Sequence, residues 1–231
     1  MAQGGSLNSW QNPNNYMADE LIVGYDPGGD GTHGVALLSL VDGRAEAART
    51  RTFQTTYEVI QYMEGLGTVA AIGVDTLTCW STGAGGWRPA DRWLRDRYKN
   101  VRNSVMTPNG LAGSMGLNGM SVLLATRSRL PDVMIVETHP KVLYWALANR
   151  KHNYQATRDQ MESMLCEVCA VTLETANEHE WDAALSALAA ARGFLGEWTT
   201  DLHALPTRSG ERLISPCGRT NYYWPESGST G

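Results

Sequence analysis

Three times along this chain a short apolar run closes on an acid: Leu21-Ile22-Val23-Gly24-Tyr25-Asp26, Ala70-Ala71-Ile72-Gly73-Val74-Asp75 and Val133-Met134-Ile135-Val136-Glu137. Runs of this length read as buried strands. In open α/β sheets ligands collect beyond the carboxyl ends of the strands. The repeated pattern therefore predicts that Asp26, Asp75 and Glu137 lie along one edge of a sheet.

The segments between these runs fit the same class. A glycine-rich turn, Pro27-Gly28-Gly29-Asp30-Gly31, leads to a strand from Gly34 to Leu40, and the turn at Asp42-Gly43 leads to another near Arg49 to Gln54. Together with the first run they make an antiparallel meander. Helices are expected over Tyr57 to Glu64, over Pro89 to Tyr98, within Met115 to Arg129 and from Pro140, and the chain past Gln155 reads mainly helical. Asn177 and Glu180 form a capping-box pattern at the start of the last helix. That helix carries Asp182 followed by Ala183, Ala184, Ser186, Ala187, Ala189 and Ala190, while Trp181, Leu185 and Leu188 stand at core spacings. Small residues let a helix lie close to a sheet, which would bring Asp182 toward the strand ends.

At 231 residues the chain has room for one sizeable core. The expected division is a flexible leader over 1–18, one domain over 19–205 and an irregular tail over 206–231, whose Tyr222, Tyr223 and Trp224 could dock on the domain or on a partner. A net charge of -5 argues against a protein that coats polyanions generally, yet a carboxylate-rich metal site would itself add negative charge. The clusters Arg88, Arg92, Arg95, Arg97, Lys99 and Arg102, and Arg150, Lys151 and His152, read first as solvated helix faces and second as phosphate contacts. Cys166 and Cys169 lie in a helical pattern without a second ligand pair at zinc spacing, so structural thiols in a reducing cytoplasm are expected. No apolar stretch approaches the roughly 20 residues of a spanning helix, and Gly4 to Tyr16 lacks a signal-peptide pattern.

Three acids converging without a cation would repel one another, and hard oxygen ligands suit magnesium or manganese better than zinc. Two such ions can activate a water and stabilise the leaving oxygen of a phosphodiester. Asp26 is the expected central ligand, Asp75 the second and Asp182 the third, with Glu137 fourth and Glu178, one turn before Asp182, fifth. His139 is a candidate for orienting water, contacting phosphate or moving a proton, and otherwise for capping the next helix. Lys141 divides between phosphate contact and plain exposure.

Gly24-Tyr25-Asp26, Gly73-Val74-Asp75, Glu137-Thr138-His139-Pro140 and the helix Trp181-Asp182-Ala183-Ala184-Leu185-Ser186-Ala187 together resemble the family called domain of unknown function 429, across about residues 20 to 200. That family is regarded as a group of predicted RNase H-like nucleases related to RuvC-type resolvases. The resemblance implies an α/β fold, with a mixed five-stranded sheet of three antiparallel strands then parallel strands, flanked by helices. It also implies acidic positions at Asp26, Asp75 and Asp182, and an E-x-x-P element at Glu137 and Pro140. The sequence departs in one place: members often carry an Asp shortly before the final helical Asp, where this chain has Glu178, His179 and Glu180. The expected function is metal-dependent hydrolysis of nucleic acid, DNA or RNA. A noncatalytic RNase H-like module that binds nucleic acid or protein, and a nucleotide-binding phosphoryl-transfer domain, are the alternatives. RuvC-type relatives often work as dimers, which leaves a homodimer open.

Overall fold

The apolar runs form the strands expected of them. In the computed structural model, which describes residues 20–29, 31–107 and 113–226, the elements in order are β1 (Glu20–Asp26), β2 (His33–Val41), β3 (Arg44–Phe53), α1 (Thr56–Glu64), β4 (Val69–Val74), β5 (Trp80–Ser81), α2 (Pro89–Arg97), α3 (Gly113–Arg129), β6 (Met134–Glu137), α4 (Pro140–Ala148), α5 (Tyr154–Cys169), α6 (Glu178–Phe194), β7 (Thr200–Asp201), β8 (Leu213–Ile214) and β9 (Tyr223–Trp224). The leader over 1–18 and Asp30 of the first glycine turn lie outside the described residues.

The main sheet runs β3-β2-β1-β4-β6, with β1, β2 and β3 antiparallel and β4 and β6 parallel to β1. This is a mixed five-stranded sheet of three antiparallel strands followed by two parallel ones, as expected. β3 begins at Arg44, earlier than the sequence suggests, because Asp42 (φ 49°) and Gly43 (φ 72°) close a two-residue hairpin. Positive φ at both positions matches the twist of the flanking strands, so pairing starts at once with Val41 opposite Arg44.

Each face of the sheet has its own core. On one, Ile22, Leu38 and Val136 pack with Trp181, Leu185 and Leu188 of α6. On the other, Val23, Tyr25 and Ile135 meet Val59 and Met63 of α1 and Val122 and Leu123 of α3.

The contact of α6 with the sheet positions the site. Gly24 and Gly73 are register partners on β1 and β4, and both lie directly under α6. A Cβ on Gly24 would stand 1.8 Å from the Ala183 carbonyl oxygen, and one on Gly73 would stand 1.9 Å from that of Ser186. Only glycine in the strands and small residues in the helix permit this approach. The capping box at the start of α6 is half made. Asn177 accepts from the Glu180 amide at 3.1 Å, but the Glu180 carboxylate takes the hydroxyls of Thr50 and Thr52 at 2.7 and 2.6 Å and the Ala176 amide at 2.8 Å. It thereby fastens α6 to the edge strand β3.

The segment after α6 folds back onto the domain. Asn221 bridges Val136 beside β6, β9 pairs with β7 and β8 with β5. Tyr222 and Trp224 are buried, and the Trp224 indole donates to the Tyr98 hydroxyl at 2.7 Å. Among the described residues no helix is long and apolar enough to cross a membrane.

Candidate metal centre

Asp26 is the last residue of β1, Asp75 follows β4 directly, and Asp182 sits in the second turn of α6. The Asp75 amide donates to the Tyr25 carbonyl at 2.9 Å, which carries the strand register one step beyond β4 and holds the two acids side by side. Because α6 lies close on the glycines, Asp182 reaches the same place. One oxygen from each of the three carboxylates lies within 4.8 Å of the others.

The electrostatics of this group are unbalanced. Asp26 is buried, and burial together with the nearby Asp182 charge pushes its carboxyl up to about 6, against the lowering effect of His179. Asp75 is pushed well up by burial and then by the charges of Asp26 and Asp182. Oδ2 of Asp26 accepts from Nδ1 of His179 at 2.7 Å, whereas its buried Oδ1 has no hydrogen-bond partner among the described residues. A buried carboxylate oxygen without a donor is costly unless a cation takes it. The residues therefore fit a hard divalent ion: oxygen donors from three elements and an unpartnered oxygen on the central one.

Two histidines join the cluster: His179, to which the sequence assigns no site role, and His152, which it reads only as part of a basic group. His179 stands one helical turn before Asp182, on the same face of α6, and its hydrogen bond to Asp26 holds its pKa up despite burial. The His-x-x-Asp spacing on one helix face is the available signal. His152, in the connection between α4 and α5, donates from Nε2 to Oδ1 of Asp182 at 2.8 Å. Nothing local in sequence marks it, because 30 residues separate the pair.

The remaining expected site residues lie elsewhere. Glu178 turns toward Lys141, at 3.5 Å, and His152, at 3.8 Å, forming a neighbouring group with Asp182. Glu137 does not join the three aspartates; its two oxygens are taken by Arg88 at 2.6 and 2.8 Å, and Thr78 donates to it from both its amide and its hydroxyl. Burial would raise Glu137, but Arg88 and His203 hold it well below the usual carboxylate range. His203, desolvated yet bonded to Cys79 and Glu137, is pushed up to about 10. Cys79, Glu137 and His203 are near enough to suggest a second ion, but Arg88 already supplies the charge there. His139 is also apart: Nε2 donates to the Ser104 carbonyl at 3.0 Å, burial pushes its pKa down, and its side chain does not cap α4.

The basic cluster around α2 is largely spent on the fold. Arg88 is buried, Arg92 pairs with Glu211 at 2.7 Å, Arg95 donates to the carbonyls of Arg102 and Val105, and Arg97 stacks over Trp93. All four cysteines are free thiols.

A mixed five-stranded α/β sheet with a carboxylate cluster able to hold a metal is thus the class that fold and site define. No protein-family model matches the chain, and no curated protein matches it. Among solved structures it is similar to Thermus thermophilus RuvC, at 14% identity over 76% of this chain and 96% of that one, with a TM-score of 0.45. It is similar also to T. thermophilus RuvC in complex with Holliday junction substrate, at 15% identity over 77% and 95% of the two chains, again with a TM-score of 0.45.

Proposed function

We propose that this chain is a metal-dependent nuclease that hydrolyses phosphodiester bonds of nucleic acid at Asp26, Asp75 and Asp182. The observation that carries the reading is the meeting of three carboxylates within 4.8 Å, one of them Asp26, whose buried Oδ1 has no partner among the described residues. The resemblance to the domain of unknown function 429 family, which rests on the motifs around these acids, belongs to the same proposal.

Asp26, Asp75 and Asp182 would hold magnesium or manganese. When bound, such ions supply Lewis-acid stabilisation of phosphate charge and a water of lowered pKa. The chain supplies the rest. His179, with Nδ1 donating to Asp26, keeps that carboxylate in one orientation and leaves Nε2 to exchange a proton with the attacking water or the leaving oxygen. His152 fixes Asp182 in the same way. Lys141, held charged by the surrounding acids although half-buried, offers a cation to a phosphate oxygen.

Labelled single-stranded, duplex, hybrid and branched DNA and RNA, incubated with magnesium or manganese, test the reading. The wild type is expected to cleave at least one of these substrates, and a folded Asp26→Asn, Asp75→Asn double variant none. Equal cleavage by both proteins, or by neither, contradicts it.

A further inference from the structure

Past Asp75 the carboxylate cluster gives onto a cavity of about 210 Å³, which also takes Lys141 into its wall. Its apolar lining is contributed by Leu77, Val105, Met106 and Met115, and the buried ion pair of Arg88 with Glu137 lies at its edge. Pockets for whole drug-sized molecules run to about 300–1,000 Å³, so this one suits a single ring system. Thioethers adapt their shape to a ligand and make favourable contacts with aromatic rings. His139 lines the same cavity.

We propose that the cavity receives one nucleobase, drawn out of its stack, from the nucleotide whose phosphate lies at Asp26, Asp75 and Asp182. The proposal rests on the nuclease reading for the placement of that phosphate. Asp75 belongs both to the carboxylate cluster and to the cavity wall, which sets the two sites side by side, and a base can be extruded most easily from a strand that is already unpaired.

The experiment compares the wild type with Met115→Trp, which fills the cavity, and with Met106→Trp at the half-exposed mouth in case the first variant does not fold. Trinucleotides, intact or lacking one base, are titrated in calcium, and long single strands with one abasic position are cleaved in manganese. For the wild type, removing the base is expected to weaken binding about ten-fold, the scale of one stacked base, and to slow cutting beside the abasic position relative to other bonds in the strand. The filled variants are expected to lose that difference while retaining the thermal shift that manganese gives. Cleavage indifferent to the missing base, or a difference that survives in the filled variants, overturns the pocket and leaves the nuclease. Base-dependent binding with no metal-dependent cleavage overturns the nuclease and supports the pocket. An absence of any binding overturns both.

Discussion

Without a metal, Asp26 is ionised at neutral pH in surroundings where burial and the Asp182 carboxylate both oppose its charge. Its folded pKa of about 6 stands above the unfolded value of 3.8, so the folded state binds the proton more tightly. The sign follows from linkage: stability from this group is full below about pH 4 and declines as pH rises toward about 6. Asp75 is raised in the same direction. Asp26→Asn should therefore stabilise the metal-free protein at pH 7.5 by about 1–3 kcal/mol, since a tenfold difference in proton affinity between the folded and unfolded states corresponds to about 1.36 kcal/mol, and the gain should shrink by pH 5. Urea denaturation at the two pH values reads this directly. A variant less stable than wild type at pH 7.5 would mean that Asp26 is already neutralised inside the chain. The residue scale is also where the sequence was least legible. Glu137 ends its strand just as Asp26 does, yet it serves Arg88, a partner 49 positions away that no local pattern announces.

Among the elements, α6 decides whether the acids meet at all. Its alanines were readable as a surface for close packing, and Asp182 was readable as the acid it would deliver. The strand glycines that receive it, Gly24 and Gly73, stand in apolar runs and in the motifs that carry the resemblance, but their need for a bare backbone was not legible, since it arises from a helix more than a hundred residues on. Gly73→Ala would force its methyl into the Ser186 carbonyl. Overpacking of this kind typically costs about 1–3 kcal/mol, and relief by lifting α6 would separate Asp182 from Asp75. Denaturant unfolding should show the lost stability and a manganese titration a weakened site; wild-type behaviour in both would mean that the helix is not seated as described. The hairpin at Asp42-Gly43 is the opposite case, a turn whose chemistry is complete within two residues and could be read directly.

For the whole molecule, the acidic network around Glu137 acts as the clasp between the sheet and the chain that follows α6. Arg88 comes from the start of α2, Thr78 from the loop after β4, and His203 and Thr220 from the returning C-terminal segment. Aromatic residues in that segment gave a hint of docking, but where they dock depends on Asn221 pairing beside β6, which is a long-range contact. Glu137→Gln removes the anion that balances two buried cations and should cost about 3–5 kcal/mol, read as a fall in Tm and as easier proteolysis of the segment after 200. A change within about 0.5 kcal/mol, the range of ordinary surface substitutions, would show that the clasp is not structural.

The two kinds of acid can be separated in one measurement, calorimetric titration of manganese into wild type, Asp75→Asn and Glu137→Gln, each confirmed as folded by circular dichroism. Manganese is expected to bind wild type and Glu137→Gln, and not to bind Asp75→Asn. Binding that survives in Asp75→Asn, or that disappears in folded Glu137→Gln, would contradict the assignment of the metal to Asp26, Asp75 and Asp182.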